Sequence, residues 1–119
     1  MSKTFGSFVR QRRGELAQQR GGFSVRKVAA MLDIQPSYIS KIEREEVKPP
    51  SEETIIRLAK AVEVDPDVLL ALAGKVSAEL RHIILKRPQL FADLLRQIKD
   101  APEHALLRVV REVRDGKWA

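Results

Sequence analysis

The sequence predicts an all-α fold of five helices in residues 1–74 followed by about three more in residues 75–119. Two observations carry this. Apolar residues recur every three or four positions throughout, and no run alternates as a half-buried strand would. Each helical run also begins or ends at an identifiable cap or breaker. With one Trp, one Tyr and four Phe in 119 residues, the core that these helices share has to be mainly aliphatic.

The first helix is expected from about Lys3 to Gln19. Phe5, Phe8, Val9 and Leu16 fall on one side, Arg10, Arg12 and Arg13 elsewhere, and Gly21 and Gly22 break the run. Ser24 is placed to N-cap a second helix, "VRKVAAML", whose inward stripe is Val25, Val28, Ala29 and Leu32. Asp33 and Ile34 form a turn. Pro36 opens a third helix, because its fixed φ and missing N–H suit the first helical position. Ile39 and Ile42, three apart, turn inward together, while Ser37, Tyr38, Ser40, Lys41 and Arg44 take the sides and the outer face.

"VKPP" stops the third helix, since a residue preceding proline is driven out of the α region. Ser51 caps "EETIIRLAKAV", which carries acids in its first turn where the helix dipole favours them. Asp65 and Pro66 open "DVLLALA", which ends at Gly74. Past Gly74 the pattern restarts, with Ser77 before "AELRHIIL", Pro88 before "QLFADLLRQIK" and Pro102 before "EHALLRVVREVR". Three short amphipathic helices make a meagre core by themselves. Their apolar stripes therefore require cover from the first unit, from a second copy of the chain, or from both.

Formal charge is +6, but its distribution says more than its sum. Residues 1–44 hold nine Lys and Arg against three acids, residues 45–74 three against seven, and residues 75–119 ten against six. The positive excess of the opening stretch suggests a surface that faces a polyanion, although a plain solvated surface also tolerates it. The chain has no Cys, so thiol chemistry and disulfides are excluded. His82 and His104 lack metal-ligand spacing, and no nucleophile motif, phosphate loop or dinucleotide fingerprint is present. Neither an enzyme nor a cofactor is expected. No export signal or membrane span is visible, and a cytoplasmic location follows as the expectation.

Two helices joined by a three- to four-residue turn form a helix-turn-helix unit, whose second helix fits the roughly 12 Å major groove of DNA. Three segments, "SVRKVAAMLDIQPSYISKIERE", "PSEETIIRLAKAV" and "VDPDVLLALAG", together resemble the Xre, or phage Cro and CI repressor-like, helix-turn-helix family over roughly Phe8 to Gly74. Ala29 stands where that family packs its two helices closely, and Ile34 is the apolar turn residue. Asp33 and Glu45 stand where the family usually has glycine; aspartate tolerates left-handed geometry better than glutamate does.

The resemblance implies a helix-turn-helix DNA-binding domain over residues 1–74 and a dimerisation or interaction region over residues 75–119. It assigns base contacts to Gln35, Pro36, Ser37 and Lys41. Phosphate contacts fall to Ser24, Val25, Arg26, Tyr38, Ser40, Arg44 and Lys48. Glu43 matches a family glutamate that pairs with a first-helix arginine, here Arg12 or Arg13. The function so implied is sequence-specific binding of double-stranded DNA by a homodimeric transcriptional regulator, most commonly a repressor. The rival reading is an antitoxin-like or peptidase-partner protein whose C-terminal helices bind a second, different protein.

Overall fold

The computed structural model describes residues 4–116, all of whose regular structure is helical. Eight helices follow in order: α1 (Phe5–Arg20), α2 (Val25–Leu32), α3 (Pro36–Glu43), α4 (Glu52–Ala61), α5 (Pro66–Leu72), α6 (Ala78–Lys86), α7 (Pro88–Ile98) and α8 (Glu103–Asp115). The chain divides into two compact units, Met1–Ala78 and Glu79–Ala119.

Helix starts follow local chemistry. Thr4 and Ser7 form a capping box that sets the first helical residue at Phe5; Lys3, the expected start, lies outside the described residues. Ser24 accepts from the Lys27 N–H, Ser51 from the Thr54 N–H and Asp65 from the Asp67 N–H. Pro36, Pro66 and Pro88 occupy first-turn positions where a missing N–H costs nothing.

The ends of α2, α3, α4 and α5 share one device. The Ile34 N–H reaches the Ala29 carbonyl, Glu46 reaches Lys41, Val64 reaches Ala59 and Lys75 reaches Leu70, each bridging five residues backwards. Such a closure needs a left-handed residue just before the donor. Asp33 (φ 55), Glu45 (φ 61), Glu63 (φ 58) and Gly74 (φ 72) supply it. Only one of the four is glycine, so three ends accept a strained conformation of about 1 kcal/mol apiece.

The core of the first unit is aliphatic with one aromatic. Phe5, Val9, Leu16, Val28, Leu32, Ile39, Ile42, Ile55, Leu58, Val62, Leu69 and Leu70 are buried, together with the small Ala29 and Ala59. Helix α2 packs on α3 and α4, α1 packs on α3, and α4 packs on α5. Phe8 and Val25, expected inside, are half-buried against this cluster.

The second unit is organised differently. None of the residues of α6, α7 or α8 is buried. Leu85, Leu90, Leu95, Leu107, Val110 and Val113 all stand exposed. Along α7 the apolar positions 90, 91, 94, 95 and 98 follow one helical stripe, as do 106, 109, 110 and 113 along α8.

Candidate nucleic-acid interface

The orientation of α3 decides what the first unit can present. Ile39, Ile42 and Glu43 are buried, and these three fix the rotation of the helix about its axis. Gln35, Ser37, Lys41 and Arg44 are exposed as a consequence, and Pro36, Tyr38 and Ser40 are half-buried at the flanks. The turn before α3 is Asp33–Ile34–Gln35, with Ile34 tucked against the core. Gln35 caps α3 by backbone position alone, without a side-chain hydrogen bond, so its amide is available to an outside partner.

Other residues expected at phosphates flank this helix by position. Ser24 and Arg26 are exposed at the start of α2, Val25 is half-buried beside them, and Lys48 is exposed beyond the end of α3. The Ser24 hydroxyl is engaged as the α2 cap, so it is held rather than free to swing. Arg26, Lys41 and Lys48 make no side-chain hydrogen bond or ion pair among the described residues.

The inner side of α3 is fixed by a two-pronged ion pair. Arg13 donates from Nε to Glu43 Oε2 at 2.8 Å and from Nη2 to Glu43 Oε1 at 2.9 Å, and its Nη1 donates to the Phe23 carbonyl at 3.3 Å. The Glu43 side chain is 5% exposed, so its charge has almost no water to fall back on. Hydrogen bonding to Glu43 raises the Arg13 guanidinium above its ordinary value, and burial opposes this less strongly. Arg12 takes no part in this pair. One position along α1 it points about 100° away, where Nε and Nη2 cap the Val62 and Glu63 carbonyls at 3.0 and 3.2 Å.

The end of α3 is tied to the start of α1. The Glu45 carboxylate accepts the Gly6 N–H at 2.7 Å, satisfying an orphan amide of the first turn. Glutamate thus holds the left-handed position that the resemblance associates with glycine, and its side chain does something a glycine could not. Gly6 itself sits so close to α3 that a Cβ would strike the Ile42 carbonyl oxygen and come within 2.8 Å of the Glu43 carbonyl oxygen.

Some arrangements have no counterpart in the sequence reading. Arg57 Nη2 donates to the Leu32 carbonyl at 2.7 Å, closing the end of α2 from α4. Arg20 forms a forked pair with Glu63, at 2.7 and 2.8 Å, and its guanidinium lies 5.6 Å from the centre of the Phe23 ring. Arg10 joins Arg13, Val25, Ser40, Glu43 and Arg44 around a cleft of about 200 Å3. The exposure of Arg10 on α1 was readable; its position beside Ser40, thirty residues on, was not.

No group of three or more possible metal ligands occurs among the described residues, and no helix is long and apolar enough to cross a membrane.

Residues 15–69 match a family model described as helix-turn-helix, taking in the C-terminal end of α1, all of α2 to α4 and the start of α5. Among curated proteins, the chain is similar to the HTH-type transcriptional regulator RamB from two strains of Mycobacterium tuberculosis. Each is 38% identical over 89 residues, covering 73% of this chain and 18% of the relative. The match therefore spans under one fifth of those proteins. No solved structure matches the chain significantly.

Proposed function

Residues 15–69 belong to the Xre, or Cro and CI repressor-like, helix-turn-helix family, and from that premise we propose that the chain is a sequence-specific, double-stranded-DNA-binding transcriptional regulator that acts as a homodimer. The observation that carries the proposal is the exposed face of α3, with Gln35, Ser37 and Lys41 turned outward while Ile39, Ile42 and Glu43 are locked inward. In this reading α3 enters the major groove, Lys41 donates to guanine O6 or N7, and the Gln35 amide pairs with adenine. Pro36 offers an apolar contact to a thymine methyl. Ser24, Val25, Arg26, Tyr38, Ser40, Arg44 and Lys48 serve the phosphates, fixing register rather than reading sequence.

One such domain reads only a few base pairs, so two copies are needed for affinity and for half-sites one helical turn apart. The exposed stripes of α7 and α8 support a role for the second unit in joining the copies. The action is repression without enzymatic activity or cofactor, in the cytoplasm. The mass of the purified chain in solution checks the assembly: a dimer is expected. A monomer that takes up mass only with a different protein would favour the antitoxin-like or peptidase-partner alternative.

Selection of bound sequences from random duplex DNA tests the function itself. Lys41→Ala is expected to erase preference at one base position, a discrimination of about 1–3 kcal/mol. Arg44→Ala is expected to weaken all duplexes evenly and flatten the salt dependence. If the unaltered chain enriches no sequence, the reading is wrong.

A further inference from the structure

Arg44, assigned above to a phosphate, already has a partner. Its Nη2 donates to Glu46 Oε2 at 2.9 Å, and the two side chains are 55% and 50% exposed. Glu46 is not a loose neighbour, because its own N–H is bound to the Lys41 carbonyl at 2.9 Å in the closure of α3. The pair keeps both groups charged: Glu46 holds the Arg44 guanidinium above its usual value, and Arg44 holds the Glu46 carboxyl below its own.

Arg44 also forms one wall of the cleft shared with Arg10, Arg13, Val25, Ser40 and Glu43. Within that cleft, Arg13 and Glu43 cancel each other through their forked pair. What remains available is Arg10 and the Ser40 hydroxyl, neither of which has a side-chain hydrogen bond or ion pair among the described residues. Two guanidinium groups and a hydroxyl around one small concavity suit a single tetrahedral oxyanion, since guanidinium presents a planar fork to phosphate oxygens.

We infer that this cleft seats one backbone phosphate of duplex DNA between Arg10, Ser40 and Arg44, and that Glu46 is a built-in competitor which the phosphate displaces from Arg44. The inference rests on the DNA-binding reading and adds to it a contact, Arg10, and a brake on affinity, Glu46. The exchange is feasible because an exposed ion pair holds its partners weakly and is screened by salt. Glu46 therefore lowers affinity for every duplex alike, leaving sequence preference untouched.

The test is a double-mutant cycle on the full chain, with binding to a fluorescent random-sequence duplex followed by anisotropy at several salt concentrations. Glu46→Gln is expected to tighten binding roughly three- to tenfold, and Arg10→Gln to weaken it by a similar factor and reduce the salt slope by about one. In an Arg44→Gln background, the gain from Glu46→Gln should largely vanish. All these side chains lie at the surface, so unchanged melting temperatures would certify the fold. The inference is overturned if Glu46→Gln gives the same gain with and without Arg44, which would make it a general charge effect. It is equally overturned if Arg10→Gln leaves affinity and salt slope alone while the unaltered chain binds. A chain that binds no duplex at any salt concentration would overturn the DNA-binding reading itself.

Discussion

Gly6→Ala is expected to destabilise the first unit by about 3 kcal/mol, the upper part of the usual range for forcing an atom into a packed site. Two of the three obstructing atoms are backbone and cannot swing aside as a side chain could. The new methyl would meet the Ile42 and Glu43 carbonyl oxygens and the Glu45 carboxylate oxygen, the last at 2.7 Å. Relief requires α1 to withdraw from α3, and withdrawal breaks the Gly6 to Glu45 hydrogen bond. For a domain of this size the melting temperature should fall by roughly 15 °C. Gly14 in the same helix provides the control. A Cβ there meets nothing within 4 Å. Gly14→Ala should therefore stabilise the helix by about 0.5–1 kcal/mol through conformational entropy alone. Calorimetry of the two variants checks both signs; similar behaviour at the two positions would contradict the close approach of α1 and α3.

Arg13→Met is expected to cost about 3–5 kcal/mol, because it leaves the Glu43 carboxylate buried with no opposite charge. The methionine retains much of the arginine stem, so lost packing is a minor part of the effect. Adding Glu43→Leu to this variant should recover most of the loss, since an apolar pair of similar volume has no stranded charge to solvate. Urea unfolding of the two single variants and the double variant measures the coupling. Additive single effects would mean that the forked pair in the structure carries no cooperative energy. Because Glu43 lies on the inner face of α3, the Arg13 variant should also bind duplex DNA less tightly without a change in its preferred sequence.

Local chemistry made much of the fold legible. Ser24, Ser51 and Asp65 announce helix starts through hydrogen bonds spanning two or three residues, and proline at a first helical turn needs no tertiary information. The inward pair Ile39 and Ile42 likewise follows from spacing alone, and with it the outer face of α3. What escaped depends on contacts distant in sequence. The choice between Arg12 and Arg13 as the partner of Glu43 turns on the rotation of α1, and a stripe of Phe5, Val9 and Leu16 is too coarse to separate neighbours about 100° apart. Glu45 carried no local sign that its carboxylate would reach Gly6, nor Arg57 that it would close α2. Arg10 was legible as exposed, but its proximity to Ser40 and Arg44 needed the packing of α1 on α3.

The repeated helix ends bear on how quickly the chain reaches this structure. Each stop at Asp33, Glu45, Glu63 and Gly74 is closed by a bond spanning five residues. The lengths of α2 to α5 are therefore set before distant parts of the chain meet. Most helix contacts in this unit then join neighbours along the chain, a topology associated with microsecond-to-millisecond assembly. Against that background, seating α1 over α3 and the end of α4 joins positions 30 to 51 residues apart. That loop closure is the expensive step, and the traffic of native opening should pass through it, carrying α3 along.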